Sequence, residues 1–153
     1  MKIVIQKVTR ASVTVENQVI SSIQKGLMLL VGISVNDTKE DADKLCKKVV
    51  NLRLFEDEVD GKFWKKSVKE INGEILSVSQ FTLMAKTRKG TKPDFHLAQK
   101  GEIAKELYDY FLGLMRSEVG ENNVKDGQFG AMMDVSLNND GPVTILLDSQ
   151  ENK

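Results

Sequence analysis

The order of patterns along the chain predicts an α+β domain, with two main helices packed on a sheet system. The coarse sequence is several strands, helix, strands, helix, strands, and no repeat, linker or low-complexity segment divides the 153 residues. Hydrophobic residues make up 41% of the chain, so there is material for a real core without staples. A single domain is expected over residues 1–150, followed by a short tail at 151–153.

The first elements follow from alternation. Lys2–Val8 and Ala11–Val15 alternate and are rich in Ile and Val, which predicts two strands with Thr9-Arg10 between them. Glu16-Asn17-Gln18 reads as a turn, and Val19-Ile20 with Ile23 continues an antiparallel pattern. After Gly26, the continuous apolar run from Leu27 to Ile33 has strand length and predicts a central strand covered on both faces.

Asp37 and Glu40 have capping-box spacing ahead of a helix. Ala42, Leu45, Cys46, Val49 and Val50 then form one apolar stripe at i, i+3, i+4, i+7 and i+8. Cys46 lies in that stripe and is read as a small core residue rather than a nucleophile. Leu52–Phe55 is expected to start another strand, and Asp57–Gly61 to form an acidic turn. That loop lacks the remaining ligands and flanking helices of an EF-hand, so a calcium site is not expected. Phe63-Trp64 with Lys65 and Lys66 reads as an amphipathic edge.

Gly73–Met84 has a strand pattern with an unusually polar middle, Ser77 and Ser79 on one face and Gln80 and Thr82 on the other. Polar side chains in so apolar a strand must find partners or line a cavity. Lys86, Arg88, Lys89 and Lys92 follow without an acid between them, either as a solvated loop or as a loop for nucleic-acid phosphates. A second helix is expected over roughly Ala98–Glu118, burying Ile103, Leu107, Tyr110, Phe111, Leu114 and Met115, with Gly120 ending it. Val124–Gly127 reads as a turn, Phe129–Leu137 as a strand, and Val143–Leu147 as the last strand.

Between those last strands stands Asn139-Asp140-Gly141-Pro142. Asn, Asp and Gly favour turns, and proline fixes φ and removes a donor. The carbonyls of Gly141 and Pro142 are therefore hard to satisfy locally, and a rigid unit of this kind suits an ammonium group. A plain β-turn is the other reading.

Lys+Arg and Asp+Glu both number 22, so no global field draws the chain to nucleic acid or membrane. No apolar run approaches membrane-spanning length, the N-terminal run carries no signal-peptide pattern, and the one cysteine excludes an internal disulfide. A cytoplasmic protein is expected. One histidine and one cysteine put an ordinary zinc site out of reach, and no metal or cofactor is expected. A Ser-His-Asp triad has only His96 to draw on, with no G-x-S-x-G elbow, and there is no P-loop or dinucleotide fingerprint. An enzyme with this inventory works by positioning and main-chain hydrogen bonding.

Ser79-Gln80-Phe81-Thr82-Leu83 and Asn139-Asp140-Gly141-Pro142-Val143-Thr144 resemble the two signature motifs of the D-aminoacyl-tRNA deacylases. Gln6-Lys7-Val8, Ala11-Ser12-Val13 and Phe129-Gly130-Ala131-Met132-Met133 extend the resemblance over essentially the whole chain, and the Lys86–His96 segment is similar to the eukaryotic branch. The resemblance implies a three-layer β/β/α fold and a homodimer with the active site at the subunit interface. It implies hydrolysis of the ester of D-aminoacyl-tRNA, glycyl-tRNA being a further substrate to consider. It places the scissile ester at Ser79, Gln80, Phe81 and Thr82. A cis Gly141-Pro142 unit from the partner would meet the α-ammonium, with Asn139 beside it, and Ala131 and Met133 would wall the pocket. On that reading a methyl on Gly141 enters the space of the substrate. Lys86, Arg88, Lys89 and Lys92 would hold tRNA; no DNA and no membrane partner is expected. Lys7 stands where many relatives carry Arg, and a lysine has no fork-like geometry with which to anchor the Gly-Pro turn. A hydrolase with a Thr82 or Ser79 nucleophile and a non-catalytic tRNA-binding module are the competing readings.

Overall fold

The axis of the fold is β1, which runs unbroken from Lys2 to Val15 in the computed structural model, whose described residues are 1–151. One edge of β1 pairs antiparallel with β6 (Asp134–Asp148) along most of its length. The other edge is shared: residues 2–8 pair with β3 (Gly26–Gly32) and residues 11–15 with β2 (Gln18–Ile23). β3 in turn pairs in parallel with β4 (Glu74–Ser79), and β4 in parallel with β5 (Val124–Asp126). The Ser21 hydroxyl of β2 donates to the Asp126 carbonyl of β5, so the mixed sheet curls until it is nearly closed.

Two cores follow from alternation on that curl. One face, with Ile3, Ile5, Leu27, Leu29, Val31 and Ile75, packs against α1 (Lys39–Asn51) and α2 (Gly101–Val119) through Leu45, Val49, Tyr108, Phe111 and Met115. The other face, with Val8, Val13, Met28, Leu76 and Val78, packs on itself inside the curl. The layers are helix, sheet and sheet, the predicted β/β/α arrangement. Each large apolar side chain removed from water contributes about 1.5–3 kcal/mol before entropy is counted.

Several boundaries differ from the sequence reading, each for a local reason. The two strands expected at 2–8 and 11–15 are one strand with register shifts near Val8, because both halves have β6 as a common partner. Glu16 and Asn17 do turn, with φ of 49° and 66°, the conformation of a two-residue hairpin. The N-cap of α1 is Thr38, whose amide donates to Asp41 Oδ2 at 2.8 Å; Asp37 instead accepts the Met1 ammonium at 2.6 Å and the Ser34 amide. Ala42, Leu45, Cys46, Val49 and Val50 are all buried as predicted.

Leu52–Phe55 forms no strand: only Phe55 makes a bridge, to Lys66, in a small irregular lobe. The strand expected to reach Met84 ends at Ser79, and Phe81–Met84 coils into a 3-10 turn. Val124–Asp126 is not a turn but a short strand that finds β4. Phe129–Met133 is a turn and β6 begins only at Asp134. In α2, Ile103 is 65% exposed, and Ala104, Tyr108, Phe111, Leu112 and Met115 form the buried face. Two overlapping apolar stripes fit that helix, and the hydroxyl of Tyr108 selects one by reaching Asp126 and Ser77. The helix ends at Gly120, φ 105°. Residues 152 and 153 of the expected tail lie outside the described residues. No helix among the described residues is long and apolar enough to cross a membrane.

Candidate active site

The polar middle of β4 resolves into two destinations. Ser77 is fully buried and lies 3.0 Å from the Tyr108 hydroxyl, which donates to Asp126 Oδ1 at 2.7 Å. Burial raises the pKa of Asp126, and burial, then the charge of Asp126, raises that of Tyr108. Ser79, Gln80, Phe81 and Thr82 line a cleft of about 700 Å3 at the open end of the strand. The chain leaves the sheet there because the Gln80 amide makes a last bond to the Val31 carbonyl at 2.7 Å, after which the 3-10 turn folds over the end of β3. Gly32 makes room for it: a Cβ there would lie 2.9 Å from Leu83 Cβ and 3.1 Å from the Gln80 carbonyl oxygen.

This exit leaves unpaired main chain at the cleft. The amides of Phe81 and Thr82 open the 3-10 turn, where no intrahelical acceptor exists, and meet no other acceptor among the described residues. Gln80 Nε2 donates to Thr82 Oγ1 at 2.6 Å, which orients both side chains along the same wall. Phe81 is held by an edge-to-face contact with Phe95, ring centres 5.2 Å apart.

Ala131 and Met133 join Ser79–Thr82 around the cleft, as expected. Met133 is fixed by the Gln128 amide, 3.4 Å from its sulfur, while Met132 stands 92% exposed at the rim. Gln99, Lys100, Gly101, Ala104, Phe129 and Gly130 also line it and were not anticipated. The one available signal was the polar Gln99-Lys100-Gly101 step in a segment otherwise read as helix. A hollow of about 670 Å3 along α1, among Glu40, Asp43, Lys44 and Lys47, contains none of the expected residues. Flexible surface charges line it, which is the ordinary exterior of a helix.

Asn139, Gly141 and Pro142 do not line the cleft of their own chain. Nor do they form a hairpin turn between two strands. β6 continues straight past them, with Asn139 opposite Val8 and Thr144 opposite Gln6, so Asp140, Gly141, Pro142 and Val143 stand out of the ladder opposite the single residue Lys7. The Gly141-Pro142 bond is cis. Neither residue has a partner in the β1–β6 ladder.

The side chain of Asn139 is spent inside this bulge. Its Oδ1 accepts the Val143 amide at 2.7 Å, and its Nδ2 lies within 3.0–3.3 Å of Thr144 Oγ1, the Val143 carbonyl and Gln6 Oε1. Gly141 has φ +144°, and a Cβ there would sit 2.8 Å from both Val143 N and Val143 Cγ2. Within its own chain, therefore, a methyl on Gly141 collides with the bulge itself.

Beneath the bulge lies Lys7, 4% exposed. Its Nζ is 2.8 Å from Glu56 Oε2 and 3.9 Å from Asp140 Oδ2, and it lies near the rings of Phe55 and Phe63. Lys25 holds the other Glu56 oxygen at 2.6 Å. The hydrogen bond from Lys25, then that from Lys7, lowers the Glu56 pKa to about 2. A point charge shared between two carboxylates replaces the fork that an arginine would supply.

Lys86, Arg88, Lys89 and Lys92 are exposed on a loop outside the cleft, closed by paired main-chain bonds between Lys86 and Asp94. His96 is exposed and pairs with Asp94, whose pKa is lowered chiefly by that contact. No imidazole lines the cleft. Cys46 is buried, and desolvation raises its thiol to about 11.

Fold and cleft together define a small α+β domain with a largely apolar cleft and a separate proline bulge. The family model described as D-Tyr-tRNA(Tyr) deacylase matches residues 4–148, and the chain belongs to that family. It is 69% identical over 151 residues to the D-aminoacyl-tRNA deacylase of Saccharomyces cerevisiae, covering 99% of this chain and 100% of that one. Identity to the protein of the same name from Drosophila melanogaster is 52% over 153 residues, with 100% and 95% covered. Among solved structures, one titled "c-Myc DNA Unwinding Element Binding Protein" superposes with a TM-score of 0.92 at 51% identity, covering 97% of this chain and 98% of that chain. A structure of a probable eukaryotic D-amino acid tRNA deacylase shares the fold, with a TM-score of 0.82 at 19% identity over 95% and 97% of the two chains.

Proposed function

We propose that this chain hydrolyses the ester of D-aminoacyl-tRNA, releasing the D-amino acid and tRNA. The observation that carries the reading is the pair of unbonded amides at Phe81 and Thr82 in a cleft without an imidazole. An aminoacyl ester is already activated, and the 2′-hydroxyl of the terminal adenosine assists attack, so no strong protein base is required. As the carbonyl carbon becomes tetrahedral, negative charge grows on its oxygen, and two preorganised main-chain donors stabilise it. A single donor of this kind contributes on the order of 10²–10³ in rate.

Chirality is read by the Gly141-Pro142 carbonyls acting in the cleft of a second copy. Two observations support a homodimer: the bulge lies outside its own cleft, and among the described residues the edge of β6 away from β1 is unpaired. Carbonyls aimed at the α-carbon accept an α-ammonium and exclude a side chain, so a D-residue fits and an L-residue does not. Glycine has no side chain to exclude, which brings glycyl-tRNA within the same chemistry. Asn139 and Lys7 serve by shaping the bulge. The Lys86–Lys92 loop, joined to the cleft wall through Phe95 and Phe81, takes tRNA phosphates, and residues 1–150 act as one domain in the cytoplasm.

Matched D- and L-tyrosyl-tRNA test the reading. Hydrolysis of the D-isomer at least 30-fold faster, about 2 kcal/mol in the transition state, is expected; equal rates overturn it. Light scattering tests the dimer. Mixing a cleft variant with a bulge variant then restores activity only if sites are shared between subunits.

A further inference from the structure

Lys100 is the only charged side chain among the residues that line the cleft. It stands just before α2, its backbone amide bonded to Gln99 Oε1 at 3.2 Å, and its Nζ makes no ion pair among the described residues. The other walls are apolar or neutral, so this charge has no local structural partner. The basic loop contributes nothing to the lining: Lys86, Arg88, Lys89 and Lys92 all lie outside it.

We propose that Lys100 binds the phosphate of the 3′-terminal nucleotide, a substrate contact that rests on the deacylase reading above. In an aminoacylated RNA end the ester sits on the ribose and the phosphodiester leaves the same ribose at its 5′ carbon. With the ester carbonyl at the Phe81 and Thr82 amides, the terminal phosphate lies one sugar away from it, and Lys100 lines the same cleft. An ammonium on a flexible stem suits such a phosphate, which it meets as a point charge. The same charge repels the α-ammonium of the aminoacyl group and leaves that end of the substrate to the proline bulge. The contact therefore positions the substrate and takes no part in bond making.

Two small esters isolate the contact: D-tyrosyl adenosine and D-tyrosyl adenosine 5′-monophosphate, both esterified on the ribose. For Lys100→Met, KM for the phosphorylated ester rises about tenfold, the magnitude of one partly screened charged hydrogen bond, while kcat holds within about twofold. The unphosphorylated ester is cleaved as by the unaltered protein, and Lys100→Arg restores most of the affinity. Equal losses on both esters, or no change in KM for the phosphorylated one, overturn the proposal and leave Lys100 as cleft wall. If the unaltered protein cleaves neither ester nor D-tyrosyl-tRNA, the deacylase reading fails, and this contact with it.

Discussion

Gly141→Ala tests the bulge that separates this chain from a plain strand pair. At φ +144° an alanine carries strain of about 1–3 kcal/mol. Its Cβ also meets Val143 N and Cγ2, both at 2.8 Å. Rotating the valine relieves the Cγ2 contact but not the contact with the backbone nitrogen. Together these cost roughly 2–4 kcal/mol to hold the native bulge, so the bulge changes shape instead. Asp140–Val143 lie outside the β1–β6 ladder, which lets the damage stay local. Expected is a loss of about 100-fold in kcat/KM on D-tyrosyl-tRNA, near 3 kcal/mol, with Tm lower by at most roughly 10 °C. Gly61→Ala, at φ +69° with nothing within 4 Å of its Cβ, carries strain without collision and keeps activity within about twofold. Stopped-flow deacylation and thermal melts of both variants check this, with hydrogen exchange at the Val143 amide reporting on its bond to Asn139. Unchanged Tm, exchange and kcat/KM for Gly141→Ala would refute the reasoning. A raised KM with unaltered exchange would restore the simpler picture of a methyl in substrate space.

Three further predictions address the rest of the site. Thr82→Ala and Ser79→Ala each retain activity within about tenfold, because no imidazole lines the cleft to activate either hydroxyl; a loss of about 10⁴-fold with a trapped acyl-enzyme establishes a nucleophile instead. Neutralising Lys86, Arg88, Lys89 and Lys92 together lowers the log–log salt slope of tRNA binding by roughly 0.7 for each single-strand phosphate that the loop no longer neutralises, and an unchanged slope makes the segment a solvated loop. Glu56 has a folded pKa of about 2, below its ordinary value of 4.5, so its contribution is present above about 4.5 and is lost as pH falls through about 2. After screening, that contribution is on the order of 1–2 kcal/mol. Glu56→Gln accordingly lowers urea stability at pH 7 and flattens the acid limb; identical acid titrations of the two proteins refute the role.

What the sequence by itself determined is what local chemistry decides. The buried stripe of α1, the two-sided burial of β3 and the inert Cys46 follow from periodicity and apolar content. The polar centre of β4 announced a site because buried hydroxyls and amides need partners or a cavity, and it has both. Tertiary structure decided which was which: Ser77 serves Tyr108 while Ser79, Gln80 and Thr82 face the cleft, according to where the strand ends and a 3-10 turn begins. It also decided that Val124–Asp126 is a strand and Leu52–Phe55 is not, since a three-residue strand exists only by virtue of its neighbour. The Gly-Pro segment reads as a turn from its residues alone. Only the shared partner β1, continuous on both sides of it, turns that segment into a projection held from below by Asn139 and Lys7. Propensity acts over a few residues, whereas pairing across more than a hundred residues of chain is a property of the assembled sheet.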